Sequence, residues 1–154
     1  MEKTNVMRLL DAAKIEYEAL DYDKTITDGQ TIAKILNEDK QQCFKTLVTR
    51  ANTKEYFVFC IPVANTLNLK KAAKAVNVKS IELILQKELL PLTGYIHGGC
   101  SPIGMKKQFH TVIDETAILF DTIFISAGKV GYQIEISPTK LSNYIHANFI
   151  DVCE

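Results

Sequence analysis

A glycine-rich loop holds the residues best suited to contact a ligand. Residues 93–107 read TGYIHGGCSPIGMKK, and Lys106 and Lys107 close the segment. Gly98 and Gly99 allow positive φ and let a bound group approach the backbone closely. Successive free N–H groups in such a turn can bind a carbonyl oxygen or a phosphate. The loop therefore predicts a ligand-binding turn, and the alternative is a structural loop whose glycines serve only tight turns.

The same loop does not match a nucleotide-binding or metal-binding motif. The GxxxxGK[ST] spacing of phosphate loops is absent, and GGCSPIG differs from GxGxxG. The chain has neither CxxC nor HExxH, and His97-x-x-Cys100 is its only close pair of potential metal ligands. The sequence therefore predicts no cofactor and no metal site.

Two side chains, Cys100 and Lys45, could take part in a reaction. Cys100 could act as a nucleophile with His97 or His110 as its base, or it could simply pack in the turn. Lys45 lies in an alternating segment, residues 44–50, and would place an ammonium on one sheet face beside apolar neighbours. An exposed edge-strand lysine that opposes aggregation is the alternative. The residue pattern alone leaves both questions open.

The surrounding chain predicts an α/β fold. Helices are expected after Asn5, after Thr27 or Asp28, after Asn68, and after Ser137 with Pro138 as the first helical residue. A helical turn is expected at 87–92. Strands are expected at 17–22, 44–50, 56–63, 80–85, 111–114, 122–126, 132–136 and 149–152. Because strands and helices mix without strict βαβ alternation, we predict one domain, residues 1–154. Its core would be a mixed, strongly twisted and partly closed β-sheet flanked by helices.

Composition narrows the class of protein. The chain has 154 residues, 47% of them hydrophobic, and a formal charge of zero, so nucleic acid would have to bind a local basic patch. Lys70, Lys71 and Lys74 are expected to form a solvated helix face. The longest uncharged apolar run, residues 56–64, is too short to cross a membrane, and the N-terminal segment is amphipathic, unlike a signal peptide. We expect a cytoplasmic protein with four reduced cysteines.

Several blocks, taken together, resemble a known family. They are FKTLV from Phe44, LKKAAKA from Leu69, GGCSPIG from Gly98 and SAGK from Ser126. In this order they resemble the YbaK family of free-standing aminoacyl-tRNA deacylases, which is related to the editing domain of bacterial prolyl-tRNA synthetase. The GGCSPIG form is most similar to the branch that clears Cys-tRNA(Pro). The resemblance implies a YbaK-like fold over nearly the whole chain.

The resemblance also implies roles for individual residues. Lys45 would be the essential site residue, and Gly98 and Gly99 would supply the loop that acts on the ester. Substrate contacts are expected from Tyr22, Thr46, Cys100, Ser101, Ser126 and Gln133, and tRNA contacts from Lys106, Lys107 and Lys129. The chain departs from the better-known family pattern at Gln133, where an aspartate can stand, and near Asp28, where an aromatic residue can stand.

The implied reaction is trans-editing. The ester that joins a mischarged cysteine to tRNA(Pro), or cysteine to tRNA(Cys), would be cleaved with the substrate's own thiol as the nucleophile. The protein would then have to position the ester and stabilise the developing oxyanion. Lys45 would contact either the terminal ribose or phosphate, or the aminoacyl group. Two alternatives are a non-catalytic aminoacyl-tRNA-binding module that acts in a transient complex with prolyl-tRNA synthetase, and a hydrolase that uses Cys100.

Overall fold

Two open β-sheets and five α-helices make up the protein, in a computed structural model that describes residues 1–154. The helices are α1 (Asn5–Ala12), α2 (Gly29–Ile35), α3 (Leu69–Ala75), α4 (Gln86–Thr93) and α5 (Pro138–Ile145), with a 3₁₀ helix at Glu115–Leu119. The strands are β1 (Glu18–Asp21), β2 (Phe44–Ala51), β3 (Tyr56–Pro62), β4 (Ile81–Leu83), β5 (His110–Asp114), β6 (Ile123–Ser126), β7 (Tyr132–Ile136) and β8 (Asn148–Ile150). The predicted α/β class is confirmed, and each predicted strand is present, with the predicted bounds for β7 and with shifted ends for the others.

The strands form two sheets, whereas the sequence predicted a single, partly closed one. A mixed five-stranded sheet has the order β4-β2-β3-β5-β8, and an antiparallel three-stranded sheet has the order β1-β7-β6. The two sheets are joined by a single parallel bridge between Cys43 and Phe124. One edge of β2 pairs with β3 from Phe44 to Arg50, while the other edge pairs with β4 only at residues 49–51. The remaining edge of β2, from Phe44 to Leu47, forms an open seam between the sheets.

Strand β3 is buried on both faces, as its continuous apolar sequence predicted. Phe59 and Ile61 pack in a cluster with Ala72 of α3, whereas Cys60 packs in the larger cluster on the opposite face, which contains Leu10 of α1. This division follows from the alternation of side chains along a strand. The five-stranded sheet is therefore covered by α3 on one face and by α1 with the smaller sheet on the other.

The helix starts are set by side-chain caps. Asp28 caps α2, accepting a hydrogen bond from Thr31 N at 3.0 Å, and Asn68 caps α3 as predicted. The prediction that Asn5 caps α1 is wrong, because Thr4 Oγ1 accepts from Met7 N at 3.3 Å and Asn5 is already helical.

Helix α3 presents a less uniform basic face than expected. Lys70 and Lys74 are exposed, but Lys71 forms an ion pair with Asp151 at 2.9 Å and donates to Cys153 O at 2.8 Å. All four cysteines are free thiols. None of the helices has the length and apolar character that a bilayer crossing requires.

Candidate functional site

A cavity of about 440 Å³ lies at the seam between the two sheets. Its walls come from the start of β2, the N-terminus of α2, the glycine-rich loop and the facing ends of β6 and β7. It is lined by seven of the predicted site residues: Tyr22, Lys45, Thr46, Gly98, Cys100, Ser126 and Gln133. A larger groove of about 820 Å³ is a surface depression that contains none of the predicted site residues. The seam cavity is therefore the candidate site.

Lys45 is a half-buried cation without a partner. It is the second residue of β2, opposite Ile61 on β3, and its ammonium forms neither an ion pair nor a hydrogen bond within the chain. The only carboxylate lining the cavity belongs to Asp28, which accepts from Thr31 N at 3.0 Å and from Thr31 Oγ1 at 2.6 Å. These bonds lower the pKa of Asp28, and the charge of Lys45 lowers it slightly further. The Lys45 ammonium is thus free to bind a ligand oxygen.

The glycine loop follows α4 and reaches the cavity through Gly98. Gly98 has φ +88°, and a Cβ there would lie 2.8 Å from Cγ2 of Thr27. Gly99 does not line the cavity. A Cβ on Gly99 would lie 2.9 Å from the backbone N of Val130, and its own N–H donates to Ile96 O at 3.0 Å. Gly99 therefore packs the loop against residues 129–130, and its N–H is used inside the turn.

Two backbone donors remain available at the cavity wall. The N–H groups of Gly98 and Cys100 donate to no acceptor within the protein. Both residues line the cavity, on the side of the glycine loop. Ser101 does not, because it is completely buried and its Oγ accepts from Ile103 N at 3.2 Å. The loop can therefore offer two N–H groups to a carbonyl oxygen, while Ser101 holds the turn.

The Cys100 thiol is poorly suited to act as a nucleophile. Burial raises its pKa to about 12, so the thiol is protonated at neutral pH. His97 also lines the cavity, but no hydrogen bond joins it to Cys100. The nucleophile is the thiolate, so the arrangement lacks the base that a cysteine hydrolase needs.

The part of the cavity lining that comes from β6 and β7 includes two polar side chains. Ser126 on β6 stands directly across from Gln133 on β7, and its Oγ accepts from Gly128 N at 3.1 Å. Gln133 is only 7% exposed and donates through Nε2 to Oε1 of Glu38 at 3.1 Å. Glu38 lies just beyond α2 and also accepts from the Cys43 thiol at 3.1 Å. Burial raises the pKa of Glu38. Glu38 was not identified from the sequence as a residue of the site.

Tyr22 and Thr46 complete the inner wall. Tyr22 follows β1, and its N–H donates to Gly131 O at 2.9 Å. Burial raises the pKa of the Tyr22 phenol, so it stays a neutral hydroxyl. Thr46 is half-buried, with Oγ1 at 3.8 Å from the Cys60 sulfur. Both side chains give neutral hydroxyl groups to the cavity that Lys45 also lines.

The lysines predicted to contact tRNA lie outside the cavity on the protein surface. Lys106 and Lys107 are exposed, and Lys107 Nζ is 6.0 Å from the ring centroid of Phe109. Lys129 pairs with Glu2 and lies 5.6 Å from the ring centroid of Tyr132, which lines the cavity. Lys24, which was not predicted, approaches the same ring at 5.4 Å. Lys24 and Lys129 thus place two cations beside the cavity rim.

The chain has no group of three or more histidine, cysteine, aspartate or glutamate residues that could hold a metal ion. The main residue that sequence reasoning missed is Glu38. Its contacts with Gln133 span 95 positions in sequence, so no local spacing could reveal them. Lys24 was also missed. It lies two positions after Tyr22, but a single surface lysine has no distinctive sequence pattern.

Comparison with known proteins gives a consistent family. Residues 23–144 match the model of the aminoacyl-tRNA editing domain. An Enterococcus faecalis protein, EbsC, provisionally named as a Cys-tRNA(Pro)/Cys-tRNA(Cys) deacylase, is 40% identical over 153 residues, covering 98% of this chain and 93% of that protein. An uncharacterised Bacillus subtilis protein, YwhH, is 21% identical over 140 residues, covering 90% and 88%.

Two solved structures share the fold. The hypothetical protein APE2540 matches with TM-score 0.91 and 22% identity, covering 98% of this chain and 100% of that one. A protein provisionally described as a trans-editing enzyme for prolyl tRNA synthetase matches with TM-score 0.85 and 19% identity, covering 100% and 99%. At these identities the structural likeness concerns the fold alone.

Proposed function

We propose that this chain, which belongs to the aminoacyl-tRNA editing domain family, hydrolyses the ester of Cys-tRNA(Pro), and of Cys-tRNA(Cys) at the same site. The observation that carries the proposal is the unpaired Lys45 ammonium in a cavity that is also lined by Gly98 and Cys100, whose N–H groups have no acceptor within the protein. The name given to the similar Enterococcus faecalis protein supports the choice of cysteine. The proposed substrate of this chain is the 3′ end of an aminoacyl-tRNA.

The residues fit cleavage that uses a nucleophile from the substrate. In the proposed step the cysteine thiolate attacks its own ester carbonyl, and a C–S bond forms. The C–O bond to the ribose then breaks, and the ribose oxygen takes up a proton. The products are tRNA with a free 3′-hydroxyl and a cysteine thiolactone, which water opens. The protein contributes no covalent bond, in keeping with the raised pKa of Cys100.

The protein's part in this step is to stabilise charge. Negative charge develops on the carbonyl oxygen at the tetrahedral stage, and the N–H groups of Gly98 and Cys100 are donors suited to it. The Lys45 ammonium would bind the terminal ribose or phosphate, or the developing oxyanion. Because Lys45 has no partner within the protein, no existing ion pair has to be broken when it binds the substrate. Held in a half-buried site, the cation acts more strongly than it would in water.

The same mechanism predicts an order of substrates. A cysteine thiol with an ordinary pKa near 8.5 is a few per cent thiolate at neutral pH and strongly nucleophilic. A serine hydroxyl is scarcely ionised, and alanine has no internal nucleophile. We therefore expect Cys-tRNA to be cleaved orders of magnitude faster than Ser-tRNA or Ala-tRNA, which would react through water only.

The experiment that tests the proposal is incubation of the wild-type protein with Cys-tRNA(Pro), Ala-tRNA(Pro) and Cys-tRNA(Cys), with loss of each ester measured over time. Cysteine thiolactone is trapped and identified by mass spectrometry. Loss of both cysteinyl esters with little loss of the alanyl ester is expected. Protection of Cys-tRNA(Pro) from spontaneous hydrolysis would instead indicate a binding module, and its dependence on added prolyl-tRNA synthetase would identify the partner of that module.

A further inference from the structure

Two buried side-chain oxygens lack a hydrogen-bond partner, and both belong to one bonded pair of residues. They are Oε2 of Glu38 and Oε1 of Gln133. The same two side chains are already joined by the bond from Gln133 Nε2 to Glu38 Oε1 at 3.1 Å. Both unpartnered atoms are shielded from solvent, so bulk water cannot satisfy them. Buried polar atoms are normally bonded, and exceptions in a native fold need a cause.

The hydrogen bonds of Glu38 are divided unequally between its two oxygens. Oε1 accepts from Gln133 Nε2 and from the Cys43 thiol, each at 3.1 Å, whereas Oε2 accepts none. In an ionised carboxylate both oxygens are acceptors. In a carboxylic acid one oxygen is a carbonyl acceptor and the other is a hydroxyl donor. The observed division matches the acid, with the proton on Oε2.

We infer that Glu38 is a neutral carboxylic acid whose Oε2–H donates to Oε1 of Gln133, so that acid and amide form a ring of two hydrogen bonds. One proton then satisfies both unpartnered oxygens. Glu38 thereby becomes a positioning residue that fixes Gln133. Gln133 lines the cavity beside Ser126, its partner on the neighbouring strand. The structural part of this inference stands on the contacts alone, and its catalytic part rests on the proposed function.

The surroundings of Glu38 favour the protonated form. Burial is the largest influence and raises its pKa, while the bonds from Cys43 and Gln133 act in the opposite direction. Glu135 on β7 raises it further. The charged groups next to Glu38 on the outer side, none of which forms an ion pair with it, are Lys34, Asp39 and Lys40.

A neutral Glu38 suits the proposed chemistry. The attacking group is a substrate thiolate, and a carboxylate behind the cavity wall would disfavour the formation of that anion. Protonated Glu38 removes this repulsion and also holds the Gln133 side chain in one orientation. Ionisation at higher pH would remove the donor to Gln133 Oε1 and would add a negative charge behind the wall.

The inference is tested first without any activity measurement. Carbon-13 NMR of glutamate-labelled protein follows each side-chain carboxyl carbon through a pH titration, and Glu38→Gln identifies the Glu38 signal by its loss. Glu38 is expected to titrate well above the ordinary glutamate pKa of about 4.3. The exposed Glu16, assigned by Glu16→Gln, serves as the reference. Titration of Glu38 below neutral pH would overturn the inference, because Glu38 would then be an ionised acceptor at pH 7.

A second test compares Glu38→Gln with Glu38→Ala in deacylation of Cys-tRNA(Pro), with Glu16→Gln as the charge-matched control. Glutamine keeps a carbonyl acceptor and offers an N–H to Gln133 Oε1, so Glu38→Gln is expected to stay within about threefold of wild-type kcat/KM at pH 7. The kcat/KM of the wild type is expected to fall at higher pH as Glu38 ionises, and the kcat/KM of Glu38→Gln should show no such fall. Glu38→Ala is expected to raise KM by about tenfold, because it removes the buried pair of hydrogen bonds with Gln133.

The pH profiles of wild type and Glu38→Gln distinguish a neutral Glu38 from an ionised one. If Glu38 were already an ionised acceptor at pH 7, the two proteins would share one pH profile of kcat/KM above neutral pH, and that result would overturn the inference. Thermal unfolding of both variants shows whether Glu38→Ala is folded, and the comparison rests on Glu38→Gln if it is not. If the wild type cleaves no aminoacyl ester, the proposed function fails, and the NMR titration alone decides the protonation of Glu38.

Discussion

At the scale of single residues, the cavity contains a cysteine that is expected to take no part in bond making. Burial holds the Cys100 pKa at about 12, so its thiol is protonated at the pH of the reaction. Cys100→Ala is therefore expected to retain deacylation of Cys-tRNA(Pro) within about threefold, because its contribution is a backbone N–H that the alanine keeps. The measurement is single-turnover loss of the ester, with Cys100→Ser as a matched variant.

The opposite result at Cys100 has a clear meaning. If folded Cys100→Ala is inactive, or if mass spectrometry traps a cysteinyl group on Cys100 of the wild type, the enzyme supplies the nucleophile. The mechanism based on the substrate thiol would then be wrong for this chain. Intact-protein mass spectrometry during turnover distinguishes the two cases.

Glu38 also predicts how stability depends on pH. Its pKa is raised in the folded state, so the folded protein holds this proton at pH values where the unfolded chain has released it. Stability is therefore expected to fall as pH rises from the ordinary glutamate pKa through the raised value. Glu38→Gln removes this contribution. Urea unfolding across pH 4 to 8 is expected to show a smaller decline for Glu38→Gln than for Glu16→Gln.

The sequence could predict residues that line the cavity, but it could not predict the buried residue that bonds to one of them. The FKTLV block and the GGCSPIG loop predicted Lys45, Gly98 and Cys100, and all three line one cavity. Glu38 has no such signal, because its role depends on Gln133 reaching it from the other sheet. Gly99 was predicted to act on the ester from the family resemblance of the glycine loop, yet contacts with Val130 and Ile96 give it a packing role.

At the scale of elements, the glycine loop depends on its close approach to residues 129–130. Gly99→Ala would place a Cβ 2.9 Å from the backbone N of Val130, and a backbone atom cannot move aside as a flexible side chain can. We expect a loss of about 1–3 kcal/mol in unfolding free energy, as for other overpacked sites. Urea unfolding measures it, and an unchanged midpoint would show that the two loops can separate at no cost.

The cap of α2 gives a second prediction at this scale. Asp28→Ala removes the acceptor of the Thr31 N–H and is expected to cost about 0.5–2 kcal/mol of stability. Asp28→Asn keeps a capping oxygen and is expected to be close to wild type in stability, while it removes the one carboxylate lining the cavity. Chemical unfolding of both variants checks the difference. Equal losses would show that the charge, and not the cap, stabilises α2.

Strand pairing explains why the sheet arrangement was harder to predict than the strands. Hydrophobic alternation indicates each of β2, β3, β6 and β7, but it carries no information on which edges meet. The gap along Phe44–Leu47 arises because β4 pairs with β2 only at residues 49–51. That gap makes the cavity, so the site depends on a long-range pairing that local sequence does not encode.

At the scale of the whole molecule, a formal charge of zero limits the electrostatic attraction of tRNA. Phosphate contacts are expected from a few lysines near the cavity rim, among them Lys24 and Lys129. The slope of log affinity against log salt is therefore expected to be about −2 to −3. Lys24→Ala/Lys129→Ala is expected to reduce the slope, whereas Lys70→Ala/Lys74→Ala on α3 is expected to leave it unchanged. A slope as steep as about −8, or the reverse order of the two double variants, would contradict this surface.

The seam cavity is expected to cleave the aminoacyl ester with the help of the Lys45 cation. Deacylation of Cys-tRNA(Pro) is followed for wild type, Lys45→Ala and Lys140→Ala, an exposed lysine of α5 outside the cavity. Lys45→Ala is expected to lose about a hundredfold in kcat/KM, or about 2.7 kcal/mol of transition-state stabilisation, while Lys140→Ala matches the wild type. Wild-type turnover by a folded Lys45→Ala protein would contradict the account.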